Sequence, residues 1–209
     1  MPSRRMMMAY IMSHQSRLPA EFQEVEYIQG DGNAYIDSGT TFAITDSLKI
    51  KTIHTTQAGT SNATVIIGVY LNSLATEFMM GYFGTDFFPN IQTANLTAVI
   101  GTLYTFEYKP YNNGLYWFID GVVVANTRQQ TADTTGNYWI MSRNFNNAPN
   151  GTAKEKIISV EHKDSNGNYI RNFVPCYRKA DNEIGLYDLV NGVFYTNAGT
   201  GTFSKGSDV

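Results

Sequence analysis

The chain has 209 residues, a formal charge of −3, 43% hydrophobic residues and only 16% charged ones. That length suits one all-β sandwich or barrel and is ample to bury a core without staples. The single cysteine, Cys176, excludes an intrachain disulfide and a cysteine-based metal site, and no apolar run approaches the ~20 residues of a membrane helix.

Charge is unevenly placed. Residues 1–17 contain Arg4, Arg5 and Arg17 and no acid, which leaves 12 basic and 18 acidic residues in the rest of the chain. A mildly acidic body lacks the clustered Lys and Arg that phosphate contacts need, so nucleic acid is not an expected partner. Segment 1–17 reads as a basic arm that docks the protein to a neighbour. Its apolar run, Met6 to Met12, is at the lower limit for a leader peptide and no Ala-x-Ala cleavage site follows. Residues 18–209 form the expected single domain.

Short β-rich runs recur along that domain between Gly, Asn, Asp and Thr punctuation, with no helical periodicity. In chain order the expected strands are 22–29, 34–38, 47–56, 64–71, 76–83, 87–92, 103–109, 115–120, 122–126, 138–142, 155–164, 169–175, 184–189 and 193–196. Fourteen Tyr and twelve Phe favour this reading, since aromatic rings fit pleated surfaces. Several runs alternate: Tyr104, Phe106 and Tyr108 oppose Leu103, Thr105 and Glu107, while Leu115, Trp117 and Ile119 share one face. Asp120-Gly121 predicts a tight hairpin, and Asn113-Gly114, Asn166-Gly167 and Asn191-Gly192 supply further turns. So many short antiparallel strands must fold into two packed sheets.

Three stretches carry a family likeness. Residues 18–39 run from Leu18-Pro19-Ala20-Glu21 to Tyr35-Ile36-Asp37-Ser38-Gly39, with Gly30-Asp31-Gly32-Asn33 at the intervening turn. Residues 115–125 form a hairpin around Asp120-Gly121. Residues 156–164 lead into a long C-terminal signature, 170–206, that includes Phe173-Val174-Pro175-Cys176-Tyr177 and Ile184-Gly185-Leu186-Tyr187-Asp188. Together these resemble concanavalin A-like, laminin-G-like jelly-roll domains, a family found in bacteriophage virion proteins and in surface proteins of gut bacteria. The resemblance implies an all-β, two-sheet antiparallel jelly-roll sandwich whose N- and C-terminal strands lie together in one sheet.

No catalytic residues are expected. The Glu-x-Asp-x-x-Glu spacing used by glycosidases on this fold is missing; Glu24 and Glu26 lack the third acid, and Glu161 and Asp164 point to opposite faces. His14, His54 and His162 are scattered, and Cys176 reads as a small core residue. Relatives of this fold bind calcium at the sandwich rim. Asp31, Asn33 and Asp37, and Asp164, Asn166 and Asn168, are oxygen-rich, but ordinary Asx turns explain both groups and no metal or other cofactor is assigned.

Aromatic rings are the best candidates for ligand contact. Tyr116-Trp117 and Tyr138-Trp139 each contain one ring expected to face the core, leaving the other free to stack on a sugar. Asn144, Asn146 and Asn147 belong to residues 143–152, the longest stretch without strand character, and are the expected polar partners.

The resulting expectation is a non-catalytic virion structural protein, a capsid decoration, head-fibre or tail-associated jelly roll. Its arm, with Arg4, Arg5 and Arg17, docks it to other virion proteins or to copies of itself, and host or mucus glycans are a further contact. The alternative is a secreted or cell-surface bacterial adhesin of lectin type.

Overall fold

The computed structural model describes residues 17–56, 64–83, 86–89, 97–112, 114–123 and 130–209. Of the arm, Arg17 falls within these residues; Arg4 and Arg5 lie outside them.

The described chain is built of strands: β1 (Phe22–Glu24), β2 (Ile28–Gly30), β3 (Ile36–Asp37), β4 (Ser47–Ile53), β5 (Thr64–Tyr70), β6 (Phe78–Phe83), β7 (Asp86–Pro89), β8 (Leu103–Tyr111) and β9 (Gly114–Ile119). They continue as β10 (Val122–Val123), β11 (Trp139–Ile140), β12 (Arg143–Phe145), β13 (Ala148–Asn150), β14 (Lys156–Lys163), β15 (Tyr169–Arg178), β16 (Glu183–Asp188), β17 (Val193–Tyr195) and β18 (Phe203–Lys205). One 3-10 turn, Leu74–Thr76, precedes β6. No helix among the described residues is long and apolar enough to cross a membrane.

Two sheets form the sandwich. The larger runs β10-β9-β8-β4-β14-β15-β16-β17, with β1 on β15 and β2 between β14 and β18; the smaller runs β13-β12-β5-β11-β3, with β6 and β7 extending from β5. All pairings between strands are antiparallel except β12 with β5. The expected two-sheet architecture is therefore present, and the chain's two ends share the larger sheet: β18 pairs β2, and Val25 bridges Asp208.

The alternation seen in the sequence decides which side chains meet between the sheets. Phe106 and Tyr108 of β8, Trp117 of β9 and Phe78 and Tyr82 of β6 are fully enclosed. Trp117 stacks on Tyr108 with ring centroids 4.7 Å apart, and Phe42 touches both Phe78 and Tyr108. At roughly 1.5–3 kcal/mol for each large apolar side chain buried, this aromatic layer is the main source of cohesion.

Differences from the expected strands have local causes. The run 22–29 divides into β1 and β2 because it changes neighbour, pairing first with β15 and then with β14. Residues 143–152 are not a loop: β12 and β13 form a hairpin whose tip residues, Asn146 and Asn147, both have positive φ. In the turn before β9, Asn112 takes φ 45° and Gly114 pairs with Tyr111; Asn113, expected in this turn, lies outside the described residues. Asp120 and Gly121, by contrast, both take the left-handed conformation that the hairpin reading requires.

A second, smaller core lies on the other face of the larger sheet. Phe173 joins the main core, whereas Val174 and Cys176 turn outward and pack with Leu18, Phe22 and Tyr187. Phe22 sits between Tyr187 and Phe194, at 5.0 and 4.9 Å. Burial pushes the Cys176 thiol up to about 12, so it stays protonated and poorly nucleophilic.

Candidate ligand-binding site

The expected sugar-contacting residues do not converge. Trp117 and Tyr138 are completely enclosed and Trp139 is 7% exposed, so none presents a ring face to solvent. The Tyr138 hydroxyl lies 3.4 Å from His162 Nδ1, and Trp139 stacks on Tyr35 at 4.4 Å. Of these four rings Tyr116 alone turns outward, half-buried on β9, edge-on to Tyr111 at 5.6 Å.

The asparagines belong to the β12–β13 hairpin and hold it together. Asn144 is buried; its Nδ2 donates to the Asn137 carbonyl at 2.9 Å and its Oδ1 accepts from the Asn147 N–H at 2.9 Å. Asn146 Oδ1 accepts from the Asn72 N–H at 3.0 Å. Beneath the hairpin, the Arg143 guanidinium donates to Glu77 Oε1 at 3.0 Å and to Asn150 Oδ1 at 2.7 Å, with the Phe145 ring 4.8 Å away. These bonds hold the hairpin in place. Arg17 is also engaged, its Nε donating to Glu24 at 2.9 Å.

A different surface has the form of a site. At one end of the sandwich, an open groove of about 790 Å³ lies between the β8–β9 turn, residues 44–45, residues 130–131 and Ser165. Its apolar lining comes from Ile44, Pro110 and Leu115, with Tyr111 beside them at the end of β8. Tyr111 ends β8 on the outward-facing set of residues and is 42% exposed. It is held edge-on by Tyr116 and by Phe118, the latter at 5.4 Å and 85°. Lys109 Nζ covers the Phe118 ring at 4.5 Å and donates to Glu107 at 2.6 Å.

The polar side of the groove is equally fixed. The N–H groups of Thr131 and Ala132 both donate to the Ala75 carbonyl, at 2.9 and 3.1 Å, and Asp133 Oδ1 accepts from the Ile44 N–H. These bonds tie residues 130–133 to the 3-10 turn and to residue 44. Gln130 lines the groove although it is only 4% exposed; its Nε2 donates to the Ala132 carbonyl at 2.7 Å and its Oε1 has no donor. A desolvated amide oxygen without a partner costs about 1–3 kcal/mol, so the groove carries an acceptor that a donor from outside would satisfy.

The carboxylates of the oxygen-rich turns are occupied. Asp31 accepts from the N–H groups of Asn33 and Thr202, which hold its carboxyl below the usual range. Asp164 does the same with Asn166 and Asn168, and Asp37 accepts from the Gly39 N–H. No cluster of three or more His, Cys, Asp or Glu with metal-binding geometry occurs among the described residues. Among the described residues, two His–carboxylate pairs lie inside the sandwich, His54 Nδ1 with Glu155 at 3.1 Å and His162 Nε2 with Asp46 at 3.0 Å.

Sequence reasoning missed Tyr111 and Gln130. Tyr111 was within reach, because the alternation 103, 105, 107, 109 continues through Pro110 to 111. Gln130 follows no periodicity, and its placement depends on its bond to residue 132 and on the bonds of residues 131 and 132 to residue 75.

No family model and no curated protein sequence matches the chain. Among solved structures, the fold is similar to that of a proposed carbohydrate-binding protein from Bacteroides ovatus ATCC 8483, with a TM-score of 0.57 and 10% sequence identity. The similarity covers 90% of this chain and 62% of that one, so the chain spans less than two thirds of its neighbour's length. The two share a β-sandwich fold.

Proposed function

We propose that this protein is a non-catalytic, carbohydrate-contacting jelly-roll module, exported or displayed on a surface as a lectin-like adhesin. The observation that carries the reading is the groove at the β8–β9 end. It pairs a solvent-facing aromatic ring with a fixed amide, the combination by which sugars are gripped through their C–H faces and their hydroxyls. The carbohydrate-binding role proposed for the Bacteroides ovatus neighbour supports the same class. Support for a non-catalytic role comes from the carboxylates: Glu77, Glu155, Asp46 and Asp188 are buried and each is bonded to a cation, an imidazole or backbone N–H groups. The reading calls for no metal ion, since the oxygen-rich turns at Asp31 and Asp164 are closed by their own N–H groups. A glycan microarray probed with the purified full chain tests it; binding to defined glycans supports the module, and a blank array removes the carbohydrate role.

A particle-bound form of the same module is the second reading. It is favoured by the resemblance of segments 18–39 and 170–206 to virion jelly rolls and by the basic residues that precede the sandwich. Here the protein would be a capsid decoration, head-fibre or tail-associated component, with other virion proteins and its own copies as partners. The arm would join the sandwich at Arg17 and Leu18, against the outer core around Phe22. Mass spectrometry of purified particles, with and without residues 1–17, separates this reading from the adhesin; normal incorporation of the truncated chain would remove the docking role of the arm.

A further inference from the structure

We infer that the groove selects neutral saccharides and discriminates against acidic ones; this rests on the carbohydrate-contacting reading and narrows its ligand class. Every described residue lining the groove is uncharged. Charges near it, among the described residues, are committed elsewhere. Lys109 is bonded to Glu107 and lies over Phe118, Asp46 accepts from His162 and from the Ala43 N–H, and Asp133 caps Ile44. A uronate, sialate or sulfate entering here would shed water without gaining a cation among the described lining residues. Such desolvation is unfavourable by several kcal/mol for an uncompensated anion.

The hydrogen-bonding capacity points the same way. Because Gln130 Nε2 is committed to the Ala132 carbonyl, the polar atom left over in the groove wall is its buried oxygen, which has no donor. That oxygen accepts and cannot donate. A sugar hydroxyl is a donor and suits such an acceptor, whereas a carboxylate is acceptor-only and cannot serve it. The ring of Tyr111, clamped between Tyr116 and Phe118, meets the C–H face of a pyranose without rearrangement. Both halves of the grip suit an uncharged, hydroxyl-rich ring.

The test uses matched probes on the full-length protein by isothermal titration calorimetry: lactose against sialyllactose, galactan against polygalacturonate, and xylan against glucuronoxylan. The neutral member of at least one pair binds, its acidic counterpart binds at least tenfold more weakly, and Tyr111→Ala weakens the neutral ligand by about fivefold or more. Tyr111→Phe, which keeps the ring, retains binding and controls for folding, and Gln130→Glu, which places a charge in the groove, abolishes it. Equal or tighter binding of the acidic members would overturn the selectivity while leaving the carbohydrate role standing. Neutral binding indifferent to both Tyr111→Ala and Gln130→Glu would overturn the groove as its location. Failure of all probes would remove both the selectivity and the broader reading.

Discussion

Trp139 and Arg143 stand opposite the same residue: β11 pairs Trp139 with Gly68 in antiparallel fashion, and β12 pairs Arg143 with Gly68 in parallel. The chain reverses between them at Met141, a buried residue with φ 66°. Position 68 has no side chain of its own, and β6 lies close against it. A Cβ there would lie 2.8 Å from Met79 Cβ and 2.9 Å from the Phe78 carbonyl oxygen. Gly68→Ala is therefore expected to destabilise the protein by about 1–3 kcal/mol through overpacking, lowering Tm by several degrees in a calorimetric melt. An unchanged Tm would mean that β5 and β6 can separate at no cost.

Acid sensitivity follows from His162. It is enclosed beside Phe42 and Tyr138, and burial pushes its imidazole below the ordinary range despite the Asp46 carboxylate. The unfolded chain takes up a proton near pH ~6.5, which the folded chain resists, so stability is complete above that pH and declines below it. Burial raises the Glu155 carboxyl, and its contribution has the opposite sign, present at low pH and fading as pH rises through the raised value. Glu155→Gln removes the second effect. Melts of that variant should show Tm falling as pH drops from ~7.5 to ~5.5, with stability lost at no more than about 1.4 kcal/mol per pH unit; a rising Tm would contradict the assignment.

The His54–Glu155 pair is expected to be strongly coupled. Both side chains are fully enclosed, and His54 Nε2 and Glu155 Oε2 have no second partner. The ring of Tyr82 packs at 4.1 Å from that of His54. Replacing one member leaves the other desolvated and alone, so His54→Ala and Glu155→Ala should each cost more than their share of the double variant. A double-mutant cycle by chemical denaturation should give an interaction of about 1–3 kcal/mol, and additivity would show that the pair contributes packing only.

Cys176 should be silent toward thiol reagents in the native protein and react as one thiol per chain in denaturant, as read with a chromogenic disulfide. Cys176→Ser places a hydroxyl among Leu18, Phe22 and Val174 and is expected to lower stability by about 1–3 kcal/mol. Rapid native labelling would show that the outer core around Phe22 opens readily.

The architecture was legible where side-chain periodicity and turn chemistry coincide. Tyr104, Phe106 and Tyr108 alternate cleanly into the core, and Asp120-Gly121 marks its hairpin because few other residues accept two successive positive φ values. The β12–β13 hairpin was hidden, since Asn144, Asn146 and Asn147 suit a loop as well as a turn, and the pairing of Arg143 with Gly68 is long-range. Rings were the hardest to place. The rule that one of two adjacent rings faces outward failed at Tyr138-Trp139 because Tyr35 covers the outward ring. The groove depends on contacts between residues 44, 111, 130 and 165 that no local pattern encodes.

Backbone NMR of the protein titrated with a neutral hexasaccharide, cellohexaose or β-1,4-galactohexaose, tests the ligand site most directly. The groove account predicts saturable shifts at Tyr111, Asn112, Gln130 and Thr131, with the β12–β13 hairpin unmoved. Shifts confined to Asn144, Asn146 and Asn147, or no saturable shift with either sugar, would contradict it.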